Sequence, residues 1–439
     1  MTRFALCLVA IAALLQSPAA RAQQPTSSSI DAAFQKFWAA DSPAEAARRA
    51  DAIFKTGITF DDALHRLQAG RTYTAQKTGV LHLSNTTSDG IEHNYAVNIP
   101  PSYDPSRRWQ VRFQLHGGIG RSNDNKPRGT GEIGALAGAE QIYVLPYAWN
   151  DEPWWGNDQV LNLDAIADTL KRTYNIDENR VVLSGVSDGA TGAYYIAARD
   201  TTPFASFLPL NGFYMVLANN EIDDGHIFLN NLRNKPLFVV NGGEDPLYPI
   251  SAVEPYTNHL IGGGVEIDYH PQPDGQHNTR WWPEVKDPYE KFVTDHPREP
   301  NPARLTWEAD DLTHNRAHWL VIDEFGEAPG QAAQLADLNF MRGTDQQGLL
   351  FSRSEAPGRV DLVRTGNTVE ATTKGVSAFT LLLSPDKFDL NQPVKVVANG
   401  REVFNGRVAP NVQTLLKWAA RDNDRTMLYA AELKIKLTK

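Results

Sequence analysis

The stretch Val181-Val182-Leu183-Ser184-Gly185-Val186-Ser187-Asp188-Gly189-Ala190 limits the possible folds more than any other part of the chain. Its continuously apolar beginning marks a strand buried on both faces, as in a parallel sheet. A Gly-x-Ser-x-Gly sequence follows, and then a helix start of small residues, Ala190, Gly192 and Ala193. A serine on a very tight strand-to-helix turn is held in a strained backbone with its Oγ exposed, and the residues two before and two after it must then lack side chains. Gly185 and Gly189 meet that need. The helix that follows points its N-terminus at the site, where it favours developing negative charge.

The chain begins with a secretory pattern over residues 1–22. Arg3 supplies the charged start, residues 4–15 the apolar run, and Ala20-Arg21-Ala22 a small-x-small cleavage site, with cleavage expected after Ala22. The apolar run is too short to span a membrane, and an exported protein, secreted or periplasmic, is expected. Cys7 is the only cysteine and lies inside that run, so the mature chain would hold no disulfide, thiolate nucleophile or cysteine metal site. Loss of Arg3 and Arg21 takes the formal net charge from -10 to -12. That acidic balance argues against nucleic acid or anionic membrane as the main partner.

Four parts are expected: the signal at 1–22, a helical segment at 23–77, an α/β domain at 78–298 and a β-rich domain at 303–439. Ser42-Pro43-Ala44-Glu45 is a capping box with proline at the first helical position, and a helix from Thr59 should stop at Gly70. This helical segment reads as a packing element leading into the main domain. Strands at 95–99, 111–115, 142–145, 181–184, 237–240 and 265–269 alternate with helices at 162–174 and 189–199, the pattern of an α/β sheet. Ligands in such sheets bind beyond the carboxyl ends of the strands.

Four loops at those ends carry chemistry. His116-Gly117-Gly118 follows one strand, and its glycines let backbone N–H groups approach a ligand. Gly117 or Gly118 and the residue after the serine, Asp188, are the candidate oxyanion donors. Asp245, in Gly242-Gly243-Glu244-Asp245, is the candidate carboxylate, preferred to Glu244. His277 lies in a loop and is the candidate base, preferred to His270 inside its strand and to His296. The fourth loop brings Trp149, Trp154 and Trp155, and Trp281 and Trp282 follow His277. These five are candidates for a substrate pocket; the competing reading packs them as core. Arg121, Arg128 and Arg280 are candidate anchors for a carboxylate.

These residues together resemble the α/β-hydrolase family: His116-Gly117-Gly118, Gly185-Val186-Ser187-Asp188-Gly189, Gly242-x-x-Asp245 with Pro249 four residues on, and Gly275-x-His277. The resemblance covers residues 78–298. It implies an α/β-hydrolase sheet, acyl transfer through a serine ester, and no metal or other cofactor. Within the family the chain is similar to secreted esterases of the polyhydroxybutyrate-depolymerase and feruloyl-esterase type, and to the catalytic domain of prolyl-oligopeptidase-type peptidases. Secreted depolymerases often carry cysteines, which the mature chain lacks. The expected function is hydrolysis of a small-molecule or polymer-linked carboxylic ester. A serine peptidase is the first alternative, and a non-catalytic binding protein on the same fold the second.

Beyond residues 297–302, where three prolines read as a linker, the pattern turns to short strands. Asn399-Gly400 marks a hairpin turn. A β-sandwich with no catalytic residues is expected there.

Overall fold

Eight strands form one sheet whose order places the serine turn near its centre. The computed structural model describes residues 27–120, 131, 133–218, 227–326, 339–342, 346–349 and 358–437; the expected signal, Arg121 and Arg128 lie outside them. Three helices come first: α1 (Ser27–Trp38), α2 (Pro43–Phe54) and α3 (Phe60–Ala69). Ser42 Oγ accepts the Glu45 N–H at 3.3 Å and Thr59 Oγ1 the Asp62 N–H at 3.2 Å, so both expected caps form. Gly70 ends α3 with φ 75°.

The main sheet contains β1 (Gly79–Thr86), β2 (Glu92–Ile99), β3 (Trp109–Leu115), β4 (Ile142–Pro146), β5 (Ile176–Val186), β6 (Phe207–Leu210), β7 (Leu237–Gly242) and β8 (Ile267–Gln272). Their order is β1-β2-β4-β3-β5-β6-β7-β8. The pairs β1–β2 and β2–β4 are antiparallel, and every pair from β4 across to β8 is parallel. Helices α4 (Asn157–Thr173), α5 (Asp188–Arg199), α6 (Ile250–Gly262) and α7 (Trp282–Asp295) cover the sheet. The apolar run at 181–183 behaves as a strand buried on both sides. Val181 and Leu183 join the core under α4 and α5, while Val182 joins the core under α7. Leu237 and Val239 against Phe238 and Val240 repeat that alternation on β7. The fold is an α/β-hydrolase sheet with β-rich additions.

The C-terminal strands are β9 (Arg304–Ala309), β10 (Arg316–Ala317), β11 (Leu320–Phe325), β12 (Asn339–Arg342), β13 (Gln346–Leu349), β14 (Gly358–Thr365), β15 (Thr368–Lys374), β16 (Val376–Leu383), β17 (Val394–Ala398), β18 (Arg401–Gly406) and β19 (Ala431–Lys436). The sheets β18-β17-β15-β14-β9 and β10-β11-β16-β19 enclose one apolar core. Asn399 and Gly400 both take positive φ, 50° and 78°, in the hairpin turn between β17 and β18.

Two features differ from expectation. Helix α8 (Val412–Asp422) interrupts the strands, and its Leu415, Leu416, Ala419 and Ala420 pack with Ile53, Ala63 and Leu67 of α2 and α3. The N-terminal helices therefore supply most of a core that they share with the far end of the chain. The residues around the prolines are also packed: Arg298 and Asn301 are buried, and the Arg298 N–H donates to Asn179 O at 2.8 Å.

A polar seam joins the two sheeted parts. Glu308 exchanges backbone bonds with the Asn231 side chain at 2.8 and 2.9 Å, and its carboxyl, pushed up to about 7 by burial, accepts from Asn230. Arg425 donates to Glu178 at 2.6 Å. Arg298 meets Asp424 at 2.6 Å with both side chains 1% exposed. Burial alone would raise the Asp424 carboxyl, but the Arg298 guanidinium and Lys171 ammonium hold it well below the usual carboxylate range. A folded-state value below the unfolded one stabilises the protein above about pH 4, and that contribution is lost as pH falls further. Asp424→Ala leaves a buried guanidinium without its partner and is expected to lose about 3–5 kcal/mol at pH 7. Thermal melts across pH check this: the gap between wild type and variant should narrow below about pH 4.

Candidate active site

Ser187 sits between β5 and α5 with φ 56° and ψ -119°, a region that a residue with a Cβ rarely enters. Its N–H donates to Leu210 O at 3.0 Å, which ties the turn to β6. A Cβ on Gly185 would stand 2.0 Å from Gly189 O, and one on Gly189 would stand 2.2 Å from Leu115 O. The two glycines are thus required by contact, and the turn is as tight as the sequence implied.

The loops after β7 and β8 bring two partners to Ser187. His277 Nε2 lies 2.9 Å from Ser187 Oγ, and His277 Nδ1 lies 2.7 Å from Asp245 Oδ2. The Asp245 side chain is fully buried, and its Oδ1 accepts the Leu247 and Tyr248 N–H groups at 2.8 and 3.0 Å. With Nδ1–H donated to Asp245, Nε2 is the acceptor that faces the serine hydroxyl. Glu244 is exposed, and its N–H donates to Gly275 O at 2.9 Å, joining the two loops. His270 stacks on Phe238 with ring centres 4.3 Å apart and meets Asp268 at 2.9 Å. His296 Nδ1 donates to Phe292 O at 2.7 Å, at the end of α7. Neither histidine is placed at Ser187 by these contacts.

Gly117 lies directly against the serine, since a Cβ there would come within 2.8 Å of Ser187 Cβ. Asp188 is the first residue of α5, where a helix leaves its N–H groups without internal partners. The loop carrying Gly117 and Gly118 is braced by His116. Its Nδ1 lies 2.9 Å from Gly117 O, and its Nε2 accepts the Ala148 N–H at 3.2 Å. Trp154 Nε1 donates to His116 O at 2.8 Å.

Four of the five tryptophans proposed as pocket residues are core residues instead. Trp154 is 0% exposed and acts as a strut under the His116 carbonyl. Trp149 is buried against His93. Trp281 and Trp282 pack with Phe238 and Tyr289, and Trp282 Nε1 donates to Ala137 O at 3.1 Å. Each large ring buries most area by facing the sheet. Trp155 is half-buried, and Arg280 is exposed in the loop beyond His277.

The aromatic groups beside the candidate triad are Tyr248 and Phe213. Tyr248 stands edge-on to His277 at 5.7 Å, and Phe213 lies 6.3 Å from Tyr248 and 5.3 Å from Tyr256. Burial, with the Asp188 and Asp245 carboxylates nearby, pushes the Tyr248 phenol up. Leu247 beside it is 59% exposed. Tyr248 was legible in principle: it lies three residues past Asp245, within the turn that the buried carboxylate caps.

Strand order and the strained serine turn give a sheet of the α/β-hydrolase type, with Ser187, His277 and buried Asp245 in register beyond the carboxyl ends of its strands. No family model matches the sequence. The chain is similar to a probable feruloyl esterase C of Aspergillus terreus, 24% identical over 189 residues that cover 40% of this chain and 65% of that protein. Among solved structures it is similar to a ferulic acid esterase, with TM-score 0.38, 17% identity, and 50% and 99% of the two chains covered. It is also similar to the Pyrococcus horikoshii acylaminoacyl peptidase, with TM-score 0.39, 15% identity, and 51% and 43% covered.

Gly185→Ala should destroy the turn, because the new methyl cannot coexist with Gly189 O. Gly262→Ala meets open space at the end of α6 and should be neutral or stabilising by about 0.4–1 kcal/mol. Soluble yield and melting temperature of the two variants compare them directly.

Proposed function

We propose that this chain is an exported serine hydrolase that cleaves carboxylic esters through a covalent acyl-enzyme. The single observation that carries the reading is the chain of contacts from buried Asp245 through His277 to Ser187, at 2.7 and 2.9 Å, with the serine held on a strained turn. In this reaction Ser187 Oγ attacks the ester carbonyl as His277 Nε2 takes its proton. Asp245 holds the imidazole and stabilises its cation. The N–H of Asp188 and one from Gly117 or Gly118 receive the oxyanion. His277 then gives the proton to the leaving alcohol, and a water deprotonated by His277 releases the acid.

The ester preference is supported by what flanks the triad. Tyr248 against His277, with Phe213 next to it, offers flat apolar surface, which suits an acyl or aryl group held by burial. The similarity to a probable feruloyl esterase adds to that reading. Export rests on the charged start, apolar run and cleavage pattern of residues 1–22.

Ser187→Ala should lower kcat by a factor on the order of 10⁶. His277→Ala should match it in severity, while His270→Ala should stay near wild type; steady-state kinetics on a soluble aryl ester decide between the two histidines. In the same assay an aromatic acyl ester is expected to exceed a dipeptide in kcat/KM. A peptide preferred tenfold or more would make the enzyme a serine peptidase.

A further inference from the structure

The residue after the serine has a second role to offer through its side chain. Asp188 Oδ2 accepts the Ile119 N–H at 3.0 Å, across 69 positions of sequence. Ile119 follows Gly117 and Gly118 in the loop that carries the other candidate oxyanion donor. One residue therefore contributes a main-chain N–H to the site and uses its carboxylate to hold the loop that contributes the second.

Other contacts hold the beginning of that loop. His116 and Trp154 brace its beginning, through Gly117 O, the Ala148 N–H and His116 O. Gly117 is pressed on Ser187 and Val186 O, which sets the separation between loop and turn. Separation alone does not set how the peptide planes are rotated, and an N–H donor works only when it is aimed at the oxyanion. The Asp188–Ile119 bond fixes that rotation on the side away from His116.

A carboxylate beside a developing oxyanion is electrostatically unfavourable. The N-terminus of α5 and the Ile119 N–H offset its charge. The useful property of Asp188 is thus its acceptor atom, not its charge. We propose that the Asp188 carboxylate is a positioning residue that clamps the oxyanion loop to the nucleophile turn. This rests on the serine-hydrolase reading above and deepens it.

Asparagine keeps the acceptor and removes the charge; alanine removes both. Asp188→Ala should lower kcat on an aryl ester by about 10²-fold, short of or equal to the loss of a whole oxyanion donor, with KM changed less than about threefold, as for an interaction made only in the transition state. Asp188→Asn should recover most of that loss. Affinity for a boronic acid that mimics the tetrahedral state should fall in step with kcat across the two variants. The clamp is overturned if Asp188→Ala keeps kcat within about threefold of wild type, a change too small for a displaced oxyanion donor. It is equally overturned if Asp188→Asn is as damaged as Asp188→Ala, or if only KM moves. Should Asp188→Ala fail to fold, hydrogen exchange at the Ile119 amide of the wild-type protein decides the matter: slow exchange is expected, and exchange at the rate of an open loop contradicts the clamp. If the wild type hydrolyses none of the esters, the hydrolase reading has failed, and the Ile119 amide then tests the clamp independently.

Discussion

The steric closeness of Gly185, Gly189 and Leu115 is the constraint on which the rest of the molecule depends. The gaps in question would bring a Cβ to 2.0–2.2 Å of a carbonyl oxygen, so no other residue type fits either position. That closeness forces Ser187 to φ 56°. A strained residue persists only where its surroundings over-determine it. Here the surroundings are β5, buried between two cores, and the Ser187 N–H bond to Leu210. The loops after β7 and β8 are in turn joined to each other, which carries Asp245 and His277 to the raised serine.

The second organising feature is the closure of the chain on itself. Helices α1 to α3 and α8 come from opposite ends of the sequence and share one apolar core. The Arg298–Asp424 and Arg425–Glu178 pairs sit beside it. A buried ion pair adds little net stability over an apolar pair but strongly penalises separation of its partners. The β-rich part is thus held in one position relative to the α/β sheet.

Much of this was legible in the sequence because the signals are local. The run at 181–183 reads as a doubly buried strand from three residues, and the glycine spacing around Ser187 reports a steric need. Asn399-Gly400 likewise names its own turn. The features that were not legible depend on partners distant in sequence. Strand β6 is four residues long and contains Pro209, so no alternation could reveal it. Helix α8 has an apolar stripe, but its strand-rich flanks masked it, and its partners lie over 300 positions away. The inward facing of the tryptophans is not legible either, because loop position reports location along the sheet edge, not which way a ring faces. Trp154 faces inward because His116 O needs a donor.

The central claim is that Ser187, and no other hydroxyl, is the nucleophile. Treatment of the full chain with a fluorophosphonate, followed by digestion and mass spectrometry, tests it most directly. The geometry predicts one adduct, on the peptide containing Ser187, and its loss in His277→Ala. An unlabelled protein, or an adduct on a different residue with Ser187 unmodified, would contradict the claim.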